Sequence, residues 1–221
     1  VRGHLRHALK VKKIKVGHAG TLDPLATGVL VVCTGKATKR IEKLQSQDKS
    51  YTATIRLGAH TPCLDAELPV DKWVDADHLQ RQAIEEAVAA MRGVVQQLPP
   101  LYSAKKVNGQ KAYAVARKGG EIELKRASIE IKKIEICAIR HLEVDGHSVV
   151  DVEVNIDCTK GTYIRSIARD LGETLGVGGH LVALHRTLNG PFPIADCMQL
   201  TDLIQAIESL PQDDNEVTVD L

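Results

Sequence analysis

A chain of 221 residues, 43% of them hydrophobic, carries enough apolar material for one large domain or two small ones, which excludes a disordered or fibrous polypeptide. No run approaches the ~20 consecutive apolar residues of a spanning helix, and no apolar core follows the basic N-terminus, so neither a membrane span nor a secretory signal is expected and a cytoplasmic protein is. The net charge of +1 conceals a segregation: Arg2, Arg6, Lys10, Lys12, Lys13 and Lys15 precede the first acid, whereas only acids follow Arg186.

That first acid, Asp23, stands in an unusual turn. Gly17, Gly20 and Gly28 permit positive φ or close backbone approach, while Pro24 fixes its own φ and pushes Asp23 out of the helical region. The turn therefore aims a single carboxylate. The apolar run 29–33 behind it has the length of a buried strand, which puts the acid at a strand mouth, a common place for a site.

Further along, Thr34-Gly35 leads into a short helix predicted over 36–45, with Lys36, Lys39, Arg40 and Lys43 adding to the basic end. Residues 51–57 alternate as a strand that ends at Gly58. Leu79, Ile84, Val88 and Met91 recur at helical spacing, with Asp75 or Asp77 as the expected cap and Gly93 as the stop. Residues 96–108, with Pro99-Pro100, read as a flexible loop, and a second basic stretch holds Lys105, Lys106, Lys111, Arg117, Lys118, Lys125 and Arg126. Segments 128–139 and 148–158 alternate in polarity about Asp145-Gly146, a hairpin signal. Ile164, Ile167, Ala168, Leu171 and Leu175 share one face of a helix over 162–175, with Gly176 beyond it. After Leu210 the chain is acidic and reads as disordered. The pattern is α+β: a single domain over 1–210 with a mixed, largely antiparallel sheet flanked by helices, then a tail over 211–221.

Composition narrows the chemistry. The five cysteines, Cys33, Cys63, Cys137, Cys158 and Cys197, are odd in number, scattered and never in a Cys-x-x-Cys pair, so they are expected as reduced thiols in the core. His4 and His7 lack a third ligand at useful spacing, so no metal site is expected. Aromatic residues amount to 3%, too few for a single-strand stacking platform. The basic end and the second basic stretch attract phosphate backbones without reading sequence, which points to a nucleic acid partner.

Five segments, in order, carry a family resemblance. Residues 17–30 read G-H-x-G-x-L-D-P-x-A-x-G-x-L; 49–58 read K-x-Y-(five)-L-G; 99–106 read P-P-x-Y-S-A-x-K; 160–172 read K-G-T-Y-I-R-(five)-L-G; and 180–187 are similar to H-(three)-L-R-R-T, with His185 in place of the first arginine. Together they resemble the TruB family of tRNA pseudouridine synthases. The resemblance implies a pseudouridine-synthase fold and cofactor-free isomerisation of uridine to pseudouridine in tRNA, at U55 of the T-loop. It implies the T-arm as the bound element and no obligate protein partner.

The resemblance assigns residues too. Asp23 takes the catalytic aspartate's place, and Tyr51 that of a tyrosine that packs on the base and helps remove its C5 proton, two jobs suited to a ring with a hydroxyl. Arg165 takes the place of its partner, whose permanent charge would keep the acid ionised and oriented. Leu184 would line the base pocket, His18 would occupy the space of the flipped-out nucleotide, and Asp65 would join the Arg165 network. Tyr163, Ser103, Lys105 and Lys39 are further expected substrate contacts. Family members open with a K-P-x-G-x-[ST]-S strand before the aspartate motif, and many end in a small RNA-binding module; neither is recognisable here, so a catalytic domain truncated at its N-terminus is expected. The basic face alone would equally suit a tRNA-folding chaperone or an inactive remnant. Retention of Asp23, Tyr51 and Arg165 together favours catalysis, because binding needs no acid facing an arginine.

Overall fold

The computed structural model describes residues 1–103, 106, 107, 110, 111, 115 and 124–210, with the backbone alone at 106, 107, 110 and 111. Its centre is a seven-stranded mixed sheet, outside which β5 (Ala59–His60) pairs with β6 (Lys72–Trp73) and β8 (Lys106–Val107) with β9 (Gln110–Lys111). The middle strands are β4 (Lys49–Leu57) and β11 (His147–Cys158), paired antiparallel from Leu57 opposite Val150 to Lys49 opposite Cys158. Outside β11 lie β10 (Ala127–Val144) and the short β7 (Gly93–Gln97); outside β4 lies β12 (Gly179–Asn189), which carries β13 (Phe192–Pro193) and, in parallel, β2 (Ala26–Gly28) on its far side. The alternation read in β4 is borne out: Tyr51, Ala53, Ile55 and Leu57 are buried, while Ser50, Thr52, Thr54 and Arg56 face outward. On that outer face Arg56 grips Asp151 of β11 with two hydrogen bonds of 2.8 Å, and Thr52 donates to Asn155.

Helices α3 (Arg81–Ala90) and α4 (Ile164–Thr174) cover the inner face, where Ile84 and Val88 of α3 and Ile167, Ala168 and Leu171 of α4 join one apolar core with the strands. The expected hairpin forms, with Asp145 at φ 51° and Gly146 at φ 77°, the paired positive dihedrals of a type I′ turn. The N-terminal α1 (Arg2–Ala8) lies against the C-terminal α5 (Leu200–Glu208), and His4 meets Glu208 at 2.9 Å. Among the described residues no helix is long and apolar enough to cross a membrane.

Several local expectations need correction. The apolar run 29–33 is not one buried strand: only β3 (Val32–Thr34) forms, paired with β1 (Val16–His18), while Leu30 is exposed and Val29 is drawn under β12. Gly28, at φ 99°, turns the chain just before the run, and the Arg186 carbonyl of β12 accepts the Val29 amide at 2.9 Å, so the first residues of the run are held against β12 instead of pairing as one strand. The helix over 36–45 is a 3-10 turn at Gly35–Arg40 followed by α2 (Ile41–Gln45). Neither Asp75 nor Asp77 caps α3, whose N-cap is Gln80; Asp75 instead accepts the Asp77 amide in an Asx turn. The stretch expected as a loop from residue 96 begins as strand β7, and Leu98 beyond it is fixed by Ser166 and Arg169, which both donate to its carbonyl. Of the cysteines expected in the core, Cys33, Cys63 and Cys158 are buried, but Cys137 is exposed on β10 and Cys197 is exposed just after the short 3-10 segment Ile194–Asp196. Lys105 and the tail 211–221 lie outside the described residues.

Candidate active site

Asp23 sits in the connection between β1 and β2. Its carbonyl accepts the Ala26 amide at 2.9 Å, closing a β-turn with Pro24 at the second position, where a fixed φ is favoured. The turn runs directly into β2, which pairs with residues 184–186 of β12, so the carboxylate is anchored at the sheet's edge. Gly28 cannot be replaced without displacing backbone, because a Cβ there would lie 2.2 Å from the Arg186 carbonyl oxygen.

Arg165, almost fully buried near the start of α4, points its guanidinium at this turn. Its Nη2 donates to Asp23 Oδ1 at 2.9 Å and to the Tyr102 carbonyl at 2.9 Å, while Nη1 donates to the Cys63 carbonyl at 3.1 Å and lies 3.5 Å from Asp65 Oδ2. Asp65 is itself fixed: its Oδ1 accepts from the Cys63 thiol and the Glu67 amide, both at 2.9 Å, and the residue bridges to Leu181 of β12. One arginine thus faces two carboxylates, one buried and one half-open to solvent. Burial pushes the Asp23 carboxyl above the ordinary carboxylate range; the Arg165 guanidinium opposes this, and the Asp65 and Glu67 charges reinforce it. The arginine orients the acid without fully offsetting its desolvation.

Tyr51 and Leu184 stand on the buried face of adjacent strands, with Leu184 between Ala53 of β4 and Ala26 of β2. Burial pushes the Tyr51 phenol up to about 12, with Arg186 acting against the shift and Asp23 with it. Tyr163 is the N-cap residue of α4, and its backbone N–H and C=O are both engaged by the Gln97 side chain. Ser103 is buried beside the Arg165 partner Tyr102, and its Oγ, like Asp65 Oδ2 and Arg165 Nε, has no hydrogen-bond partner among the described residues.

Two expected contacts lie apart from this cluster. His18 is exposed on β1, on the flank of the Asp23 turn. Lys39 is exposed and lines a separate open cleft of about 520 Å³ with Glu42, Lys43, Gln45, Ser46 and Lys160, a basic surface suited to a phosphate backbone.

The structure adds residues that were not singled out. Arg186, fully buried on β12, donates to the carbonyls of Gly20, Thr21 and Val29, and Asn189 donates to that of Ala19 at 2.8 Å. Lys49 is buried at the start of β4, with Nζ on the carbonyls of Gln45 and Gln47. The signal for Arg186 was the two-residue step from Leu184, which places both on one face of a strand.

Comparison with known proteins bears on the family and the fold. A family model described as the N-terminal domain of TruB family pseudouridylate synthase matches residues 6–164, and one described as the C-terminal domain of tRNA pseudouridylate synthase B matches residues 165–220. The boundary between them falls within α4, so in this chain the second span supplies β12 to the same sheet as the first. A protein of Phocaeicola vulgatus named tRNA pseudouridine synthase B is 46% identical over 212 residues, covering 96% of this chain and 84% of that protein. One of the same name from Parabacteroides distasonis is 47% identical, covering 94% and 85%. Among solved structures, a chain of a Cbf5-Nop10-Gar1 complex matches 92% of this chain with a TM-score of 0.62 and 27% identity, and this chain spans 48% of its length.

Proposed function

The chain belongs to the TruB family of pseudouridylate synthases, and from that membership we propose the uridine it isomerises in tRNA and the part each residue of the site takes. The enzyme is an isomerase that converts uridine to pseudouridine in tRNA. Its target is the T-loop uridine at position 55, and the observation that carries the residue assignment is the Asp23–Arg165 pair at 2.9 Å beside the buried Tyr51.

That uridine lies inside a folded loop, so it is flipped out at a cost of a few kcal/mol that protein contacts offset. His18, exposed on the flank of the site, takes the vacated space, and the base enters against Tyr51 and Leu184. Asp23 assists rupture of the bond between N1 and C1′, either by attacking the sugar or by stabilising positive charge on it; both routes need the ionised acid that Arg165 orients. The base turns, C5 bonds to C1′, the C5 proton departs with help from the Tyr51 hydroxyl, and N1 gains a proton. Bonds and protons balance within the substrate, so no cofactor takes part. Asp65 holds Arg165 from behind, Tyr163 and Ser103 border the pocket, and Lys39 and Lys105 meet the RNA backbone. The enzyme acts in the cytoplasm and needs no protein partner.

Incubating the purified chain with an unmodified tRNA transcript and mapping pseudouridine at single-nucleotide resolution tests the proposal. Modification at U55 that disappears in Asp23→Asn supports it. Tight binding without modification overturns it in favour of a tRNA-folding protein.

A further inference from the structure

Arg186 is a cation in the protein interior whose partners among the described residues are backbone carbonyl oxygens and the Tyr51 phenol rather than a carboxylate. Its Nε donates to Val29 O at 2.7 Å, its Nη2 to Gly20 O at 3.1 Å and its Nη1 to Thr21 O at 3.4 Å. These carbonyls belong to the two arms of the loop whose tip is Asp23. The backbone of Arg186 holds the same loop, because its carbonyl accepts the Val29 amide at 2.9 Å and Gly28 packs against it too closely for any Cβ. Across the other strand boundary Arg186 lies directly opposite Tyr51, so both side chains point to one face of the sheet. Carbonyls hold part of a guanidinium's charge but do not neutralise it, and desolvating it without an anion is costly. A purely structural strap in this place needs hydrogen bonds, which neutral side chains supply; Asn189 does that for Ala19.

We propose that Arg186 is a positioning residue for the isomerisation, tying the loop of Asp23 to the strand of Tyr51 so that carboxylate and phenol are held in one fixed relation around the bound base. The inference rests on the functional reading above. The planar fork spans three carbonyls at once, a reach that the single ammonium of lysine lacks. Displacements of about 1 Å at a reacting group cost about 100-fold in rate, so the effect falls on kcat. Tyr51 and Leu184 keep their own strands, so the affinity for tRNA changes little.

The test compares the full chain with Arg186→Lys and Asn189→Ala, by tRNA turnover and by amide exchange followed peptide by peptide. Arg186→Lys is expected to lower kcat about 100-fold with KM within about threefold, and to speed exchange in the peptides covering 17–31 while those of β4 and β11 stay protected. Wild-type kcat, or a loss that accompanies faster exchange throughout the sheet, overturns the proposal, because a general packing role predicts the latter. Should Arg186→Lys not fold, Asn189→Ala decides: it releases only the Ala19 end and is expected to speed exchange in 17–31 with a smaller fall in kcat, and unchanged exchange there counts against a clamped loop. If the wild-type chain itself leaves tRNA unmodified, the functional reading fails, while the exchange data still report whether Arg186 holds the loop.

Discussion

Replacing Arg165 by methionine tests the electrostatic logic of the site most directly. The side chain is 5% exposed and faces Asp65, 1% exposed, at 3.5 Å and Asp23, 31% exposed, at 2.9 Å. Methionine fills much of the volume but strands the Asp65 charge in the interior, and removing one partner of a buried pair costs about 3–5 kcal/mol. The Cys63 and Tyr102 carbonyls lose their donor as well, which adds at most about 1–3 kcal/mol each where water does not replace it. Asp23 is open enough for solvent to screen it, so its share is small. Taking Asp65 as the main contribution, Arg165→Met lowers stability by about 4 kcal/mol, which for a protein of this size is about 8–16 °C in Tm. Urea titration followed by circular dichroism measures it, with activity recorded alongside. The double variant Arg165→Met/Asp65→Asn removes the stranded charge and recovers more than half of the loss, although it remains inactive. A loss below about 1 kcal/mol in the single variant, or a double variant less stable than the single, refutes the claim that Arg165 neutralises Asp65.

Asp23→Asn abolishes turnover while tRNA affinity stays within about threefold, checked by filter binding. Because burial raises the Asp23 pKa, the folded chain holds that proton more tightly than the unfolded chain; the group's contribution falls as pH climbs from below 3.8 through the higher folded value, and its charge costs stability at neutral pH. Asp23→Asn therefore melts no lower than wild type at pH 7, and the acid limb of wild-type kcat/KM lies above 3.8, where a calorimetric scan and a pH–rate series detect them. Tyr51→Phe keeps the ring and loses the hydroxyl, so kcat falls about 100-fold with little change in KM; with the phenol at about 12, wild-type activity shows no alkaline limb from Tyr51 up to about pH 9. Iodoacetamide labels Cys137 and Cys197 in the native protein and spares Cys63 and Cys158, whose thiols burial raises, the latter to about 11; peptide mass spectrometry before and after urea reads the difference.

Elements whose signal is local were legible in the residues alone. Strand β4 alternates, the β10–β11 hairpin carries its Asp-Gly turn, and α4 shows its apolar face and closing glycine, because period and turn chemistry act over a few residues. The Asp23–Arg165 contact was reached through motif resemblance, since no local rule joins residues so distant in sequence. The run 29–33 was misjudged because a tertiary contact with β12 overrode its strand propensity, and β7 was missed because an edge strand starting at a glycine carries little pattern. Arg186 was passed over because an arginine reads as surface unless an acid is near, and here backbone carbonyls stand in for one.

The loop that bears Asp23 is made early in synthesis, but what holds it comes late: Arg186 reaches back 157 residues to Val29, and Asn189 reaches back 170 to Ala19. A ribosome has therefore released the aspartate long before it supplies the strand that organises it, and the central strand β4 likewise waits for its neighbour on that side. Folding dominated by such distant pairings is slow and leaves sheet edges open while it proceeds. The nascent chain has no assembled site until residue 189 has cleared the exit tunnel. A premature stop between α4 and β12 yields a product that carries Asp23, Tyr51 and Arg165 yet lacks the strand that brings them into working order.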